Sequence, residues 1–236
     1  MRIIFLFISL LSILPGQDFP FKVGEKLVYN VKFNIIPSGV AFLEVLAYDT
    51  INGNRVYHAR FTAKTNSTFD LLFKIRDQID IWMDEQSLYT HQLIKTIREG
   101  KYRKKTITTI NYKDSLAVIN SDSVKIYGGV RDPYSLFYYL RTIPLEIGQV
   151  LEFKSFENKN TTPLKLAVTG TENISTEAGT FSCIIVRPYR KGKSLLKNEG
   201  DMQIWFSDDD KRLPVQIQIK MKFGSMLLKL RKITEQ

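Results

Sequence analysis

Few side chains in these 236 residues are suited to chemistry, because the chain has two histidines and one cysteine. His58 and His91 have no partner at the spacing of a metal site or a catalytic pair, and both His-x-x-x-His and Cys-x-x-Cys are absent. Cys183 stands in the apolar run Phe181-Ser182-Cys183-Ile184-Ile185-Val186 with no local base. It reads as a small core residue. Gly192-Lys193-Ser194 has the ending of a phosphate-binding loop, but Arg187 stands where the first glycine would have to be. No Gly-x-Ser-x-Gly elbow is present. Asp208-Asp209-Asp210 lacks the alternating spacing and the distal Glu of a calcium loop, and reads as a polar turn before Lys211-Arg212. Paired carboxylates remain, since a glycoside-hydrolysing pair is made in space and not in sequence. Glu25, Glu44, Glu172 and Asp208 are candidates, and nothing singles one of them out. Trp82 and Trp205 would pack in a core or line a pocket. The expectation is a protein that is not an enzyme and uses no cofactor and no metal.

The elements that must position these residues are strands. Leu27, Tyr29, Val31 and Phe33 alternate with Lys26, Val28, Asn30 and Lys32. Val215, Ile217, Ile219, Met221 and Phe223 alternate with Gln216, Gln218, Lys220 and Lys222. Successive side chains on a strand point to opposite faces, so each run has one wet and one buried face, as antiparallel sheets do. Turn signals at Pro37-Ser38-Gly39, Asn52-Gly53-Asn54, Glu99-Gly100-Lys101 and Ala178-Gly179 separate such runs. One segment departs from the pattern. Asp132 can cap a helix whose first position is Pro133, Leu136, Phe137 and Leu140 share a face, and Pro144 follows. The spacing predicts a helix over 132–141.

The chain also echoes itself. Gly24-Glu25-Lys26-Leu27-Val28-Tyr29 returns as Gly148-Gln149-Val150-Leu151-Glu152-Phe153. Ile81-Trp82-Met83-Asp84 returns as Ile204-Trp205-Phe206-Ser207-Asp208, and Gly100 returns as Gly224. Three landmarks in one order at a near-constant offset predict two similar halves, about 19–128 and 143–236, joined by the helix. No low-complexity linker parts them, so residues 17–236 are expected to form one β-rich domain.

Met1-Arg2, the apolar run Ile3–Leu14 and the break at Pro15-Gly16-Gln17 follow the pattern of a secretory signal peptide over 1–16. The run is shorter than the roughly 20 residues a spanning helix needs. No later stretch is long and apolar enough to cross, so no transmembrane segment is expected once the signal is removed. With one cysteine, an exported chain must be held by its core and its ladders and not by an intrachain disulfide. The net charge is +10. It gathers at Arg98/Lys101/Arg103/Lys104/Lys105, Arg187/Arg190/Lys191/Lys193 and Lys220/Lys222/Lys229/Arg231/Lys232. Such clusters either attract an anionic membrane surface or acidic glycans, or form solvated faces that discourage edge pairing. Nucleic acid is not an expected partner, because no nucleic-acid-binding motif is present.

Several stretches taken in order resemble one family. They are Val23–Tyr29, Ser38-Gly39, Asp132–Arg141, Gly170-Thr171-Glu172, Ala178–Phe181 and Ile204–Asp209 with Arg212–Val215. Together the chain resembles the exported bacterial proteins known as domain of unknown function 3108. The resemblance implies a location in the periplasm or cell envelope and a β-rich fold. It attaches no role to the motif positions Gly24, Glu25, Asp132, Arg141, Glu172, Gly179, Asp208, Arg212 and Pro214. The arrangement also looks like the open β-barrels of periplasmic lipoprotein carriers. The expected fold is all-β, a large curved antiparallel sheet or open β-barrel of about 12 strands with a short central helix. The leading functional expectation is an exported binding protein for a lipid or acyl chain, lined by Tyr29, Phe33, Trp82, Phe137 and Trp205. The alternatives are an envelope interaction module with a packed core and an envelope protein as partner, or a carboxylate-dependent glycan hydrolase.

Overall fold

A computed structural model describes residues 19–157, 159–189 and 201–235. The expected signal peptide, Gly192-Lys193-Ser194 and part of the second basic cluster lie outside these residues. The chain forms β1 (Lys26–Phe33), β2 (Ile36–Ile51), β3 (Asn54–Thr65), a short α1 (Ser67–Asp70), β4 (Arg76–Asp84), β5 (Thr90–Glu99), β6 (Tyr102–Asn111), β7 (Leu116–Ile119) and β8 (Asp122–Lys125). It continues through α2 (Pro133–Leu140) into β9 (Val150–Glu157), β10 (Asn160–Thr176), β11 (Gly179–Tyr189), β12 (Asp201–Ser207), β13 (Pro214–Met221) and β14 (Gly224–Thr234). Fourteen strands stand where about twelve were expected. β8, Asp-Ser-Val-Lys, is too short and polar to show an alternation.

All strands belong to one antiparallel sheet in the order β8-β7-β6-β5-β4-β3-β2-β1-β14-β13-β12-β11-β10-β9. Neighbours in the sheet are neighbours in the chain except at β1–β14, where Lys26 faces Thr234 and Phe33 faces Met226. The free edges, β8 and β9, do not pair with each other. Residues 130–131 run as a strap between β9 and the start of β5. The Arg131 N–H donates to Lys154 O (3.2 Å), and Arg131 O accepts from the Phe156 N–H (2.9 Å). On the other side the Thr90 N–H donates to Val130 O (3.1 Å). The strap thereby satisfies edge groups of β9 that would otherwise invite another strand.

Alternation sets the core. Leu27 and Tyr29, Ala41, Leu43 and Val45, Tyr57 and Ala59, Ile204 and Phe206, and Leu228 and Leu230 all point to the concave face. Leu136, Tyr138 and Leu140 of α2 are buried in the same cluster, so the helix fills that face. Both ends of α2 are fixed by its sequence. Asp132 accepts from the N–H groups of Tyr134 (2.7 Å) and Ser135 (3.2 Å), and Pro133 occupies the first turn, where its missing N–H costs nothing. Thr90 Oγ1 donates to the second oxygen of Asp132 (2.7 Å), which ties the cap to β5.

Candidate functional site

The charged motif positions fall into place around α2. Arg141, its C-terminal cap, makes a bidentate pair with Glu25, with Nη1–Oε1 2.6 Å and Nη2–Oε2 2.8 Å. Two more of its donors reach Pro20 O (2.8 Å) and Lys211 O (3.2 Å). The two side chains are 0% and 4% exposed, so the contact is dry, and four of the five guanidinium N–H groups have acceptors. Both Glu25 oxygens are engaged by Arg141, and the pair pins the helix to the turn before β1. Neighbouring motif residues serve the same framework. Pro214 O accepts from the Tyr29 hydroxyl (2.8 Å). Burial pushes that hydroxyl far above the usual phenol range. The Asp208 N–H donates to Ser182 O (2.8 Å), and the Arg212 N–H to Asp209 Oδ1 (2.9 Å). Gly24 and Gly179 hold φ of 94° and 134°, where a side chain would be strained.

Three of the four candidates for acid–base work have separate partners. Glu25 belongs to Arg141, Glu44 pairs with Lys26 (2.9 Å), and Glu172 accepts from Trp205 Nε1 (2.8 Å). Cys183 is buried, and burial pushes its thiol up to about 12. The histidines differ from their reading in the sequence, since each has a carboxylate neighbour in space. His58 Nε2 lies 2.9 Å from Asp80 Oδ1, and His91 Nε2 lies 3.5 Å from Asp84 Oδ2. Burial works to raise the Asp80 carboxyl. Hydrogen bonds from Gln78, His58 and Arg60 outweigh it and hold the group below the usual carboxylate range. The Ser87 hydroxyl donates to the other oxygen of Asp84 (2.9 Å), so it bonds to the carboxylate and not to the imidazole. Among the described residues no cluster of His, Cys, Asp and Glu could hold a metal ion.

Of the five expected lining residues, Tyr29, Trp205 and Phe137 come together in the packed core, and Phe33 and Trp82 stand outside it. Tyr29 is 1% exposed inside the packed core. Phe33 meets Phe69 at 6.2 Å near the β1–β2 turn, and Phe137 packs on Phe206 at 6.4 Å. Trp82 alternates with Ile81 and Met83, and so stands on the outer face, stacked on His58 at 4.3 Å with Nε1 on Asp49 (2.9 Å). Trp205 likewise alternates with Ile204 and Phe206 and is covered from the outside by Glu172. Each tryptophan is followed by a bulge, Trp82/Met83 against β5 and Trp205/Phe206 against β13.

A cavity of about 480 Å³ opens elsewhere on the concave face, over β5, β6 and β7 and facing the end of β9. It exists because β8 and β9 stay apart beyond the strap. Its floor is Leu93, Ile97, Thr108 and Ile110, with Phe156 opposite. Lys95 and Lys104 line it from the two neighbouring strands β5 and β6. Lys95 Nζ sits 5.7 Å from the centre of the Tyr134 ring, and Lys159 pairs with Asp122 at the mouth. Of the groove residues, the sequence marks Lys104 only within a basic cluster and Asp132 only as a helix cap and motif position, and it singles out none of the others. β6, Tyr-Arg-Lys-Lys-Thr-Ile-Thr-Thr-Ile-Asn, has few large apolar groups.

No curated protein matches the chain. In fold it is similar to a β-barrel-like protein of domain of unknown function DUF1849 from Brucella abortus. The TM-score is 0.61 at 9% identity over 91% of this chain and 98% of that one. A proposed lipoprotein from Parabacteroides distasonis covers 91% and 97% at 15% identity and a TM-score of 0.40. A proposed exported protein with a YmcC-like fold from Bacteroides fragilis covers the same shares at 13% and 0.39. The family model for proteins of unknown function DUF3108 matches residues 28–231. With that match running from within β1 through the helix and into β14, the chain belongs to the DUF3108 family.

Proposed function

We propose that the protein is an exported, non-enzymatic component of the cell envelope that holds an amphipathic anion of lipid class in the β5–β7 groove. The observation that carries this reading is the composition of the groove, with Leu93, Ile110 and Phe156 beside Lys95 and Lys104 in about 480 Å³. That volume is within the range of ligand sites, and the lysines would meet an anionic head while the apolar floor takes a chain. Export is supported by the pattern of residues 1–17. A single domain of two related halves is supported by Gly24 and Gly148. Their N–H groups reach Val45 O and Val168 O at 2.8 and 2.9 Å, each beside a bulge in a long strand.

One observation favours a packed interaction module instead, namely that α2 fills the concave face over the rest of the sheet. A glycan hydrolase has less support, because Glu25, Glu44 and Glu172 are engaged separately. The test is native mass spectrometry of protein purified gently from its own envelope, followed by organic extraction. A co-purifying lipid-sized mass is expected, reduced about tenfold or more by Lys95→Glu with Lys104→Glu. A clean apo mass with an empty extract would sink the groove reading and leave the packed module.

A further inference from the structure

In an antiparallel meander every second turn falls at the same end of the sheet. The β1–β2, β3–β4, β5–β6 and β13–β14 connections therefore share one rim. Contacts join them into a continuous surface. Asn34 and Ser225 bond through the Asn34 N–H to Ser225 O (2.7 Å) and the Ser225 N–H to Asn34 Oδ1 (2.9 Å). Phe33 meets Phe69, and the Gly100 N–H donates to Lys74 O (2.8 Å).

This rim carries the four most exposed large apolar side chains among the described residues: Leu71 at 90%, Ile35 at 88%, Phe223 at 83% and Leu72 at 79%. The leucines are presented by a held loop. Asn66 caps α1 through Phe69 N–H (2.8 Å), and Arg76 grips both oxygens of Asp70. Cations surround the apolar tips. Lys74, Arg76, Arg98 and Arg103 line a hollow of about 330 Å³, with Lys101 and Lys222 in the adjoining turns. Only Arg76 of these has a carboxylate partner among the described ion pairs. The opposite end is different, because its turns carry Glu85, Asp114, Glu146, Glu177, Asp208 and Asp209. A strand-end surface with apolar tips among cations that, Arg76 aside, have no carboxylate partner among the described ion pairs matches the boundary between acyl chains and anionic head groups.

We propose that this rim docks on an anionic lipid membrane, with Ile35, Leu71, Leu72 and Phe223 entering the head-group region and Lys74, Arg98, Lys101 and Lys222 on its phosphates. The docking does not require the groove to be occupied, so a failed lipid extraction leaves it standing. Co-sedimentation of the protein as the cell delivers it tests the idea. The vesicles are phosphatidylcholine alone, and phosphatidylcholine with an equal part of phosphatidylglycerol. Binding is expected on the anionic vesicles and to weaken with salt. Leu71→Ser/Leu72→Ser/Phe223→Ser and, separately, Lys74→Glu/Lys101→Glu are each expected to lower it about tenfold or more. These positions are exposed, so an unchanged urea midpoint checks that both variants fold. Leu72→Trp should show a blue shift of its emission on the anionic vesicles only. The proposal is overturned if wild type and variants sediment alike, if neutral vesicles bind equally well, or if inorganic phosphate occupies the hollow while no vesicle binds. A rim-mediated dimer that the serine variant dissolves, with vesicle binding unchanged, would overturn it too.

Discussion

A buried charge pair is costly to desolvate and adds stability only when its donors and acceptors are met. Arg141 largely satisfies that condition through Glu25, Pro20 and Lys211. Arg141→Met should therefore destabilise the fold by about 3–5 kcal/mol, because it strands the Glu25 carboxylate in the core. Glu25→Gln combined with Arg141→Met should recover part of that loss, read as urea midpoints in a double-mutant cycle. An additive pair would show that the contact does not couple the two residues. Both residues stood out in the sequence as motif positions without a role, and their pairing could not be read there. They are 116 positions apart, and only the fold makes them neighbours. The tryptophans are the opposite case. Trp82 shares its side of the alternation with Gln78, Asp80 and Asp84, so period two already placed it on the polar face. Size and aromaticity suggested a lining role for both tryptophans, and the register puts Trp82 on the outer face while Trp205 is buried in the core cluster.

Among elements, the strap gives β9 hydrogen bonds that its free edge would otherwise lack. The strap lies tight on β5's neighbourhood. A Cβ on Gly129 would stand 2.1 Å from the Tyr89 ring, which Arg131 covers from above at 4.4 Å. Gly129→Ala should cost about 1–3 kcal/mol and loosen the strap. Amide exchange at Phe156 and Thr90 should then rise more than exchange in β1 or β14. Uniform acceleration across the sheet would mean that the strap has no local role. The helix was legible because Asp132, Pro133 and Pro144 punctuate it, and the long strands because one face is apolar. The groove was not legible. It arises from two edges failing to meet, and edge spacing depends on curvature accumulated over fourteen strands.

For the whole molecule, the order of the sheet is nearly the order of the chain, with one interruption. Read from β9, it runs β9 to β14 and then β1 to β8. The first and last of the described strands meet at this seam, where Lys26 faces Thr234 and Lys22 Nζ lies 3.3 Å from Glu235. β1 is thus completed by β14, which is synthesised about 190 residues later. Until Gly224–Thr234 has emerged, β1 keeps an open edge, and its loop closure spans the whole domain. A circular permutant can remove this delay. It would join Glu235 to Phe19 by a short linker and open the chain between Tyr127, which is exposed, and Gly128. Every strand would then pair with the next one synthesised. Its native sheet should be unchanged, and its refolding, followed by stopped-flow fluorescence of Trp82 and Trp205, should be on the order of tenfold faster. Equal rates would place the folding barrier elsewhere than at the seam. The seam between β1 and β14 is therefore a matter of timing as much as of architecture: the β1–β8 half waits, one edge bare, for β14 to arrive.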